Sequence, residues 1–216
     1  TFNLHASLLP QYRGAAPINW AVINGDKETG ITTFFLQQEI DTGKVIQQVR
    51  IPIADTDNVE VVHDKLMTLG GKLVIETVDA ILENRVKPIP QEEMAQPTEL
   101  RPAPKIFKET CRINWSGSLK QTYDFIRGLS PYPAAWTELH NEQEAPVTMK
   151  IFETEKIEKV SVVDPGTIQT DGKTYLHVAV EKGYLSIKSL QLAGKKRLPI
   201  DEFLRGFKFS DEMKLQ

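Results

Sequence analysis

The sequence is poor in cysteine, has no long apolar run and carries no large excess of charge. It has 216 residues and one cysteine, Cys111, which excludes an internal disulfide. No run of about eighteen apolar residues occurs, which excludes a transmembrane helix. Lys and Arg number 26 against 29 acidic residues, and a net charge of −3 gives no general attraction for nucleic acid or anionic membranes. Because the first residues also show no signal-peptide pattern, we expect a cytoplasmic protein without membrane contact.

The distribution of proline divides the sequence into three segments. Residues 1–87 alternate strand and helix patterns, which is typical of an α/β domain. Residues 88–104 hold five prolines and few apolar residues, so we predict an extended linker there. Residues 105–216 contain short, regularly spaced strand patterns with tight turns between them. That arrangement favours a small barrel or sandwich.

A helix is predicted over residues 58–83. Asp57 with Glu60 three positions later resembles a capping box. Gly70 and Gly71 interrupt the helical pattern, and each costs about 1 kcal/mol relative to alanine. The pair therefore predicts either close packing against a neighbour or a kink.

Three polar residues suggest chemistry at strand ends. Asn3 and His5 alternate along a short strand pattern and so share one face, while Asp41 lies at the next strand-to-turn junction. A neutral imidazole accepts a proton near pH 7, and an amide N–H can stabilise an oxyanion. Residue chemistry alone leaves plain structural roles open, a satisfied strand histidine and an Asp that forms a turn. As an active site, the trio fits acyl transfer to an amine or hydrolysis, and the lack of an adjacent nucleophile favours direct transfer.

The segment Asn3-Leu4-His5-Ala6-Ser7-Leu8-Leu9-Pro10 and further motifs along the whole chain are similar to those of the methionyl-tRNA formyltransferase family, a branch of the 10-formyltetrahydrofolate-dependent formyltransferases. The chain resembles that family in the segments Asn3-Leu4-His5-Ala6-Ser7-Leu8-Leu9-Pro10, Arg13-Gly14-Ala15-Ala16-Pro17-Ile18, Gly30-Ile31-Thr32 and Asp41-Thr42-Gly43. The second half resembles it in Ile113-Asn114-Trp115, Pro131-Tyr132-Pro133, Gly166-Thr167-Ile168, Leu190-Gln191 and Gly194-Lys195-Lys196-Arg197.

The resemblance implies a fold, a reaction and a set of site residues. The fold is a truncated Rossmann-like formyltransferase domain over 1–87, joined by the linker to an OB-like tRNA-binding barrel over 105–216. The reaction moves a formyl group from 10-formyltetrahydrofolate, the cosubstrate, to the α-amino group of initiator methionyl-tRNA, with no metal. The implied catalytic residues are Asn3, His5 and Asp41. The implied folate-binding residues are Ser7, Leu8, Leu9 and Pro10.

Cationic residues are the expected contacts to tRNA. Lys195, Lys196 and Arg197 follow Gly194 at a strand end, and with the resemblance a phosphate contact becomes the favoured interpretation over a solvated loop. Arg13 is either a surface residue or a contact to the acceptor end. We expect a monomer that binds the folate and initiator methionyl-tRNA. Two alternatives stay open, a non-catalytic tRNA-binding fragment and a formyltransferase that acts on another amine.

The position of the trio leads to one more expectation. In the resembling family these residues follow an amino-terminal βαβ segment, whereas here Asn3 is the third residue. We therefore expect a fragment with little transfer activity alone and with an unpaired edge at the Thr1–His5 strand.

Overall fold

The computed structural model describes residues 1–94, 99–141 and 144–216. Contacts divide the chain into two compact units: the first contains residues 1–22 and 26–106, and the second contains residues 23–25 and 107–216. Among the described residues no helix is both long and apolar enough to cross a membrane. The predicted order, an α/β domain followed by a barrel, is confirmed by the elements of the two units.

The first unit is a three-stranded antiparallel sheet with helices. Its strands have the order β1-β2-β3, and β2 is buried along most of its length because it is the central strand. In the β1–β2 register His5 lies opposite Thr32. The elements that lie wholly or mainly in this unit are β1 (Phe2–His5), α1 (Pro17–Ile23), β2 (Glu28–Phe35), β3 (Val45–Pro52) and α2 (Val59–Leu82).

Helix α2 covers the sheet with an apolar face. Val62, Leu66 and Leu73 share a core with sheet residues such as Ile31. The helix runs without a break through the glycine pair, and a Cβ at Gly70 would lie 2.9 Å from a methyl group of Leu4. Close packing against Leu4 is therefore a reason for a small residue at this position.

The predicted capping box at Asp57 is wrong. The N-cap is Asn58, whose side chain accepts a hydrogen bond from Val61 N at 2.9 Å. The Asp57 carboxylate instead accepts from Ala54 N at 2.8 Å and pairs with Lys65 at 2.6 Å. It thus closes the preceding turn and pairs with a lysine about two helical turns further on.

The described part of the proline-rich segment packs on the first unit. Ile89 exchanges two backbone hydrogen bonds with Val45, each 2.9 Å long. Ala103 is buried, and its backbone pairs with that of Arg13 and Ala15. Apart from a short 3-10 helix at Gln91–Glu93, its described residues lie outside helices, and these bonds fix them to the first unit. The domain limits given above remain a prediction, and we retain a boundary near residue 105 as a proposal.

The second unit is a nearly closed antiparallel barrel. Its strand order is β10-β4-β5-β8-β7-β6, and a bridge between Thr167 and Lys214 joins the two ends of that order. Helix α3 begins with a complete capping box formed by Ser118 and Gln121. The elements are α3 (Leu119–Leu129), β4 (Ala135–Asn141), β5 (Glu144–Ile157), β6 (Ile168–Thr170), β7 (Leu176–Val180), β8 (Gly183–Leu192), β9 (Leu198–Pro199), α4 (Ile200–Gly206) and β10 (Lys214–Leu215).

Candidate active site

The structure brings His5 and Asp41 together at one end of the sheet of the first unit. His5 is the last residue of β1, and Asp41 lies in the loop between β2 and β3. His5 Nδ1 is 3.6 Å from Asp41 Oδ2, and both side chains are largely buried, with 7% and 13% exposed. Asn3 lies two positions earlier on the same face of β1 and is exposed. The trio therefore consists of a buried pair and a neighbouring solvent-facing amide.

A backbone carbonyl fixes the tautomer of His5. Its Nε2 lies 2.8 Å from the carbonyl oxygen of Tyr12. A carbonyl can only accept, so Nε2 carries the proton of the neutral imidazole and Nδ1 keeps a lone pair. That lone pair is on the side of Asp41, whose carboxylate is placed to stabilise the imidazolium formed when Nδ1 takes up a proton. His5 therefore has the chemistry of a general base, with its ring oriented by Tyr12 O and a carboxylate beside its free nitrogen.

Tyr12 is itself held in an uncommon conformation. Its φ is 59°, in the left-handed region. Its hydroxyl donates to Asp26 at 2.7 Å, and Arg101 Nη1 contacts both the Tyr12 hydroxyl at 3.0 Å and Asp26 at 2.8 Å. Tyr12, and then Asp26, raise the pKa of the Arg101 guanidinium above its usual range, although partial burial opposes them. Tyr12, whose backbone carbonyl orients His5, is thus itself held by the hydrogen bonds of its hydroxyl group.

The loop that carries Asp41 is also constrained. Asp41 has a φ of 56°, and its Oδ2 accepts from Gly14 N at 3.0 Å. Two residues later a Cβ at Gly43 would lie 1.6 Å from the carbonyl oxygen of Phe35, so only glycine fits there. The Gln91 side-chain amide donates to the carbonyls of Asp41 and Gly43, both at 2.8 Å. The carboxylate is therefore presented by a loop with few alternative conformations.

The segment Ser7–Pro10 is tied to the sheet by hydrogen bonds. Thr32 Oγ1 donates to Ser7 O at 2.7 Å and accepts from Leu9 N at 3.2 Å. Gln48 Nε2 donates to Leu9 O at 2.7 Å. Ser7, Leu9 and Pro10 are buried, whereas Leu8 is half-buried. Several polar groups of this segment are thus already satisfied within the protein.

The predicted tRNA-contacting residues differ in how firmly they are held. Lys195 and Lys196 are exposed in the turn that follows β8. Arg197 is also exposed, but its Nε donates to Ser189 Oγ at 2.8 Å and its guanidinium lies 4.4 Å from the centroid of the Phe152 ring. Arg13, in the first unit, donates to Gln91 Oε1 from Nε at 3.0 Å and from Nη2 at 2.6 Å. Two side chains are therefore solvated cations, and two are engaged with protein groups.

Comparison with known proteins identifies the family. The formyl transferase family matches residues 1–78, and the formyl transferase C-terminal domain family matches residues 105–208. The methionyl-tRNA formyltransferase of Bacteroides fragilis is 72% identical over 216 residues, and that of Bacteroides thetaiotaomicron is 73% identical over 215 residues. The alignments cover 100% of this chain and 67% of each relative. The chain belongs to the methionyl-tRNA formyltransferase family.

Solved structures agree with the fold of this formyltransferase chain. HypX from Aquifex aeolicus in complex with tetrahydrofolic acid superposes with a TM-score of 0.68 at 20% sequence identity. The match covers 97% of this chain and 36% of that protein. At this identity the likeness concerns the fold alone. The family predicted from the sequence motifs is confirmed by the two close relatives and the two family matches.

Three residues of the site were not found by sequence reasoning. Tyr12, Gln91 and Arg101 hold the pair through contacts described above, and two of them lie about fifty or more positions from Asp41 along the chain. Tyr12 acts through its backbone carbonyl, which leaves no signature in residue type. Gln91 belongs to a proline-rich segment whose composition indicates a linker. The sole signal in the sequence was the adjacency of Tyr12 and Arg13 to the His5 motif.

Proposed function

We propose that this formyltransferase transfers the formyl group of 10-formyltetrahydrofolate to the α-amino group of initiator methionyl-tRNA. The observation that carries the proposal is the His5–Asp41 pair, with the Nδ1 lone pair 3.6 Å from the carboxylate and Nε2 bound to Tyr12 O. Family membership supports the reaction, and we assign His5 the role of its base. The proposal includes action in the cytoplasm as a monomer.

Each member of the trio takes a role that its chemistry allows. An α-amino group loses its proton near pH 8, so the attacking amine is partly neutral under ordinary conditions. As the amine nitrogen bonds to the formyl carbon, His5 Nδ1 accepts its proton and later returns it to the departing nitrogen. Asp41 stabilises the imidazolium in between, and the Asn3 amide donates to the negative charge on the formyl oxygen. The amine attacks the formyl carbon directly and the folate nitrogen leaves, so the transfer balances without a covalent enzyme intermediate.

The segment Ser7–Pro10 has a backbone held by hydrogen bonds, which suits a binding site for the cosubstrate. Thr32 and Gln48 fix its backbone, and fixed loops preorganise a site for its ligand. Because Ser7 O, Leu9 N and Leu9 O already have protein partners, we assign these residues to the wall of the folate site and not to its hydrogen bonds.

The exposed loop after β8 is the proposed contact to tRNA phosphates. Lys195 and Lys196 are solvated cations on a short turn, which suits contacts that position the nucleic acid without reading its sequence. Arg197 adds charge from a side chain fixed over Phe152. A contact between Arg13 and tRNA remains a prediction.

The test is formyl transfer measured with two proteins. One is this chain, and the other is a chimera that adds the part of the Bacteroides fragilis relative lying outside the alignment. We expect N-formylmethionyl-tRNA from the chimera and its loss with His5→Ala. Binding of tRNA without any transfer would favour a non-catalytic role, and transfer to other amines but not to methionyl-tRNA would favour a different acceptor.

A further inference from the structure

Gln91 is a buried side chain whose amide is fully used. It is 2% exposed and begins a short 3-10 helix, Gln91–Glu93. Its Nε2 donates to Asp41 O and Gly43 O, both at 2.8 Å, while its Oε1 accepts from Arg13 Nε at 3.0 Å and Nη2 at 2.6 Å. One orientation of the amide satisfies all four bonds, because carbonyls only accept and a guanidinium only donates. The glutamine therefore links Arg13 to the Asp41 loop in a defined way.

The two carbonyls that accept hydrogen bonds from Gln91 belong to Asp41 and Gly43, on either side of Thr42. The loop has other bonds of its own, from Thr42 Oγ1 to Glu39 O at 3.1 Å and from Phe35 N to Lys44 O at 2.9 Å. These close the loop on itself and do not tie the left-handed Asp41 to the rest of the unit. Gln91 supplies that tie from the backbone side, and Gly14 N supplies it from the carboxylate side.

We propose that Gln91, oriented by Arg13, is a positioning residue that sets the Asp41 carboxylate against His5. The expected effect on the rate of transfer rests on the proposed function, whereas the expected effect on the position of the Asp41 carboxylate does not. The proposal also gives Arg13 a role other than contact with tRNA, since two of its donors are directed at Gln91. Loss of either side chain frees the loop, moves the carboxylate and lowers the rate of transfer without weakening tRNA binding.

Amide hydrogen exchange in the whole chain tests the geometric part. The Gly14 amide donates to Asp41 Oδ2, so its protection reports the position of the carboxylate. The neighbouring Ala15 amide donates to Ala103 O at 2.7 Å and serves as an internal control. The variants are Gln91→Leu, Arg13→Ala and Arg13→Lys, and the matched controls are the exposed Gln37→Leu and Arg50→Ala.

We expect Gln91→Leu to lower the protection of Gly14 about tenfold or more, because it leaves two carbonyls and the guanidinium without their partner. Arg13→Ala should have a smaller effect in the same direction, and Arg13→Lys should restore part of it. Protection of Ala15 should stay within about twofold of its original value in every variant. If Gln91→Leu does not fold, the two Arg13 variants decide the matter. Unchanged Gly14 protection in a folded variant would overturn the proposal.

Kinetics of the chimera test the second part. Arg13→Ala should reduce kcat about tenfold and leave the KM for methionyl-tRNA within about twofold, because misplaced catalytic groups lower the rate itself. A raised KM with unchanged kcat would instead assign Arg13 to tRNA binding and overturn this role. If the unmodified chimera transfers no formyl group, the proposed function fails, and the exchange result still decides whether Gln91 positions Asp41.

Discussion

The two units present their proposed functional residues in opposite ways. In the first unit, His5 and Asp41 are largely buried, and their positions are set by hydrogen bonds from Tyr12, Gly14 and Gln91. In the second unit, Lys195 and Lys196 are exposed on a turn. The contrast matches the two tasks, because misplacing catalytic groups by about 1 Å can lower a rate about a hundredfold, whereas attraction of phosphate needs charge and reach. Changes in the first unit should therefore alter rates, and changes in the loop should alter affinity and its dependence on salt.

The largest effect among the site variants outside His5 is expected from Asp41→Asn. The substitution removes the negative charge 3.6 Å from His5 Nδ1 but keeps an oxygen that can accept from Gly14 N. We expect single-turnover transfer by the chimera to fall about a hundredfold, the lower end of the range for loss of an acid–base group, because His5 itself is kept. Asp55→Asn, at an exposed site paired with Lys27, is the matched control. A rate equal to that of the unmodified protein would remove the carboxylate from the mechanism.

Rigidity of the Asp41 loop predicts a stability effect. A Cβ at Gly43 would lie 1.6 Å from Phe35 O, and a backbone carbonyl has little freedom to move. Gly43→Ala should lower the free energy of unfolding by about 1–3 kcal/mol, measured by urea denaturation. Gly71→Ala is the control, since no atom lies within 4 Å of its Cβ position and alanine favours helices, so it should stabilise by up to about 1 kcal/mol. Equal stability of the Gly43 and Gly71 variants would mean that the loop is more adaptable than the structure shows.

The loop of the second unit predicts a change in salt dependence. The double variant Lys195→Ala with Lys196→Ala should weaken tRNA binding and reduce the slope of log affinity against log salt by about 0.9 per lost phosphate contact, or somewhat less. The effect should be alike for many tRNAs, because phosphate contacts do not read sequence. Lys159→Ala with Lys173→Ala removes the same charge from other exposed positions and should leave the slope nearer to its original value. Identical slopes of log affinity against log salt for both double variants would mean that Lys195 and Lys196 form a solvated loop without phosphate contacts.

The smallest effect concerns pH and the barrel. Burial, and then the charge of Lys188, lower the pKa of His177 below its usual 6.5. The folded state therefore resists protonation of this side chain, and the unfolded state takes up the proton first as the pH falls. Stability of the second unit should decrease as the pH drops through about 6.5, and His177→Gln should flatten that part of the profile. Thermal unfolding at several pH values gives the comparison, and an unchanged profile in the variant would place the pH effect on other groups.

Much of the architecture could be predicted from local patterns in the sequence. The helix over 59–82 and the strands around His5 follow from periodicity, and the barrel follows from short strands separated by turns. The capping residue could not be chosen correctly because Asp57 and Asn58 are adjacent and both suit an N-cap. The hydrogen bonds that hold His5 and Asp41 in place could not be predicted either. The bonds from Gln91 and Tyr12 use backbone carbonyls, which every residue has, and depend on long-range packing.

The clearest test of this account is a single-turnover titration of the chimera with methionyl-tRNA. We predict that His5→Ala lowers the plateau rate about 10²–10⁴-fold and leaves the half-saturating tRNA concentration unchanged, because a general base is lost and binding is not. The exposed histidine variant His63→Ala should match the unmodified protein. The Lys195→Ala, Lys196→Ala variant should raise the half-saturating concentration and keep the plateau. A plateau unaffected by His5→Ala, or one lowered by the lysine variant, would contradict the division between a chemical site in the first unit and a binding loop in the second.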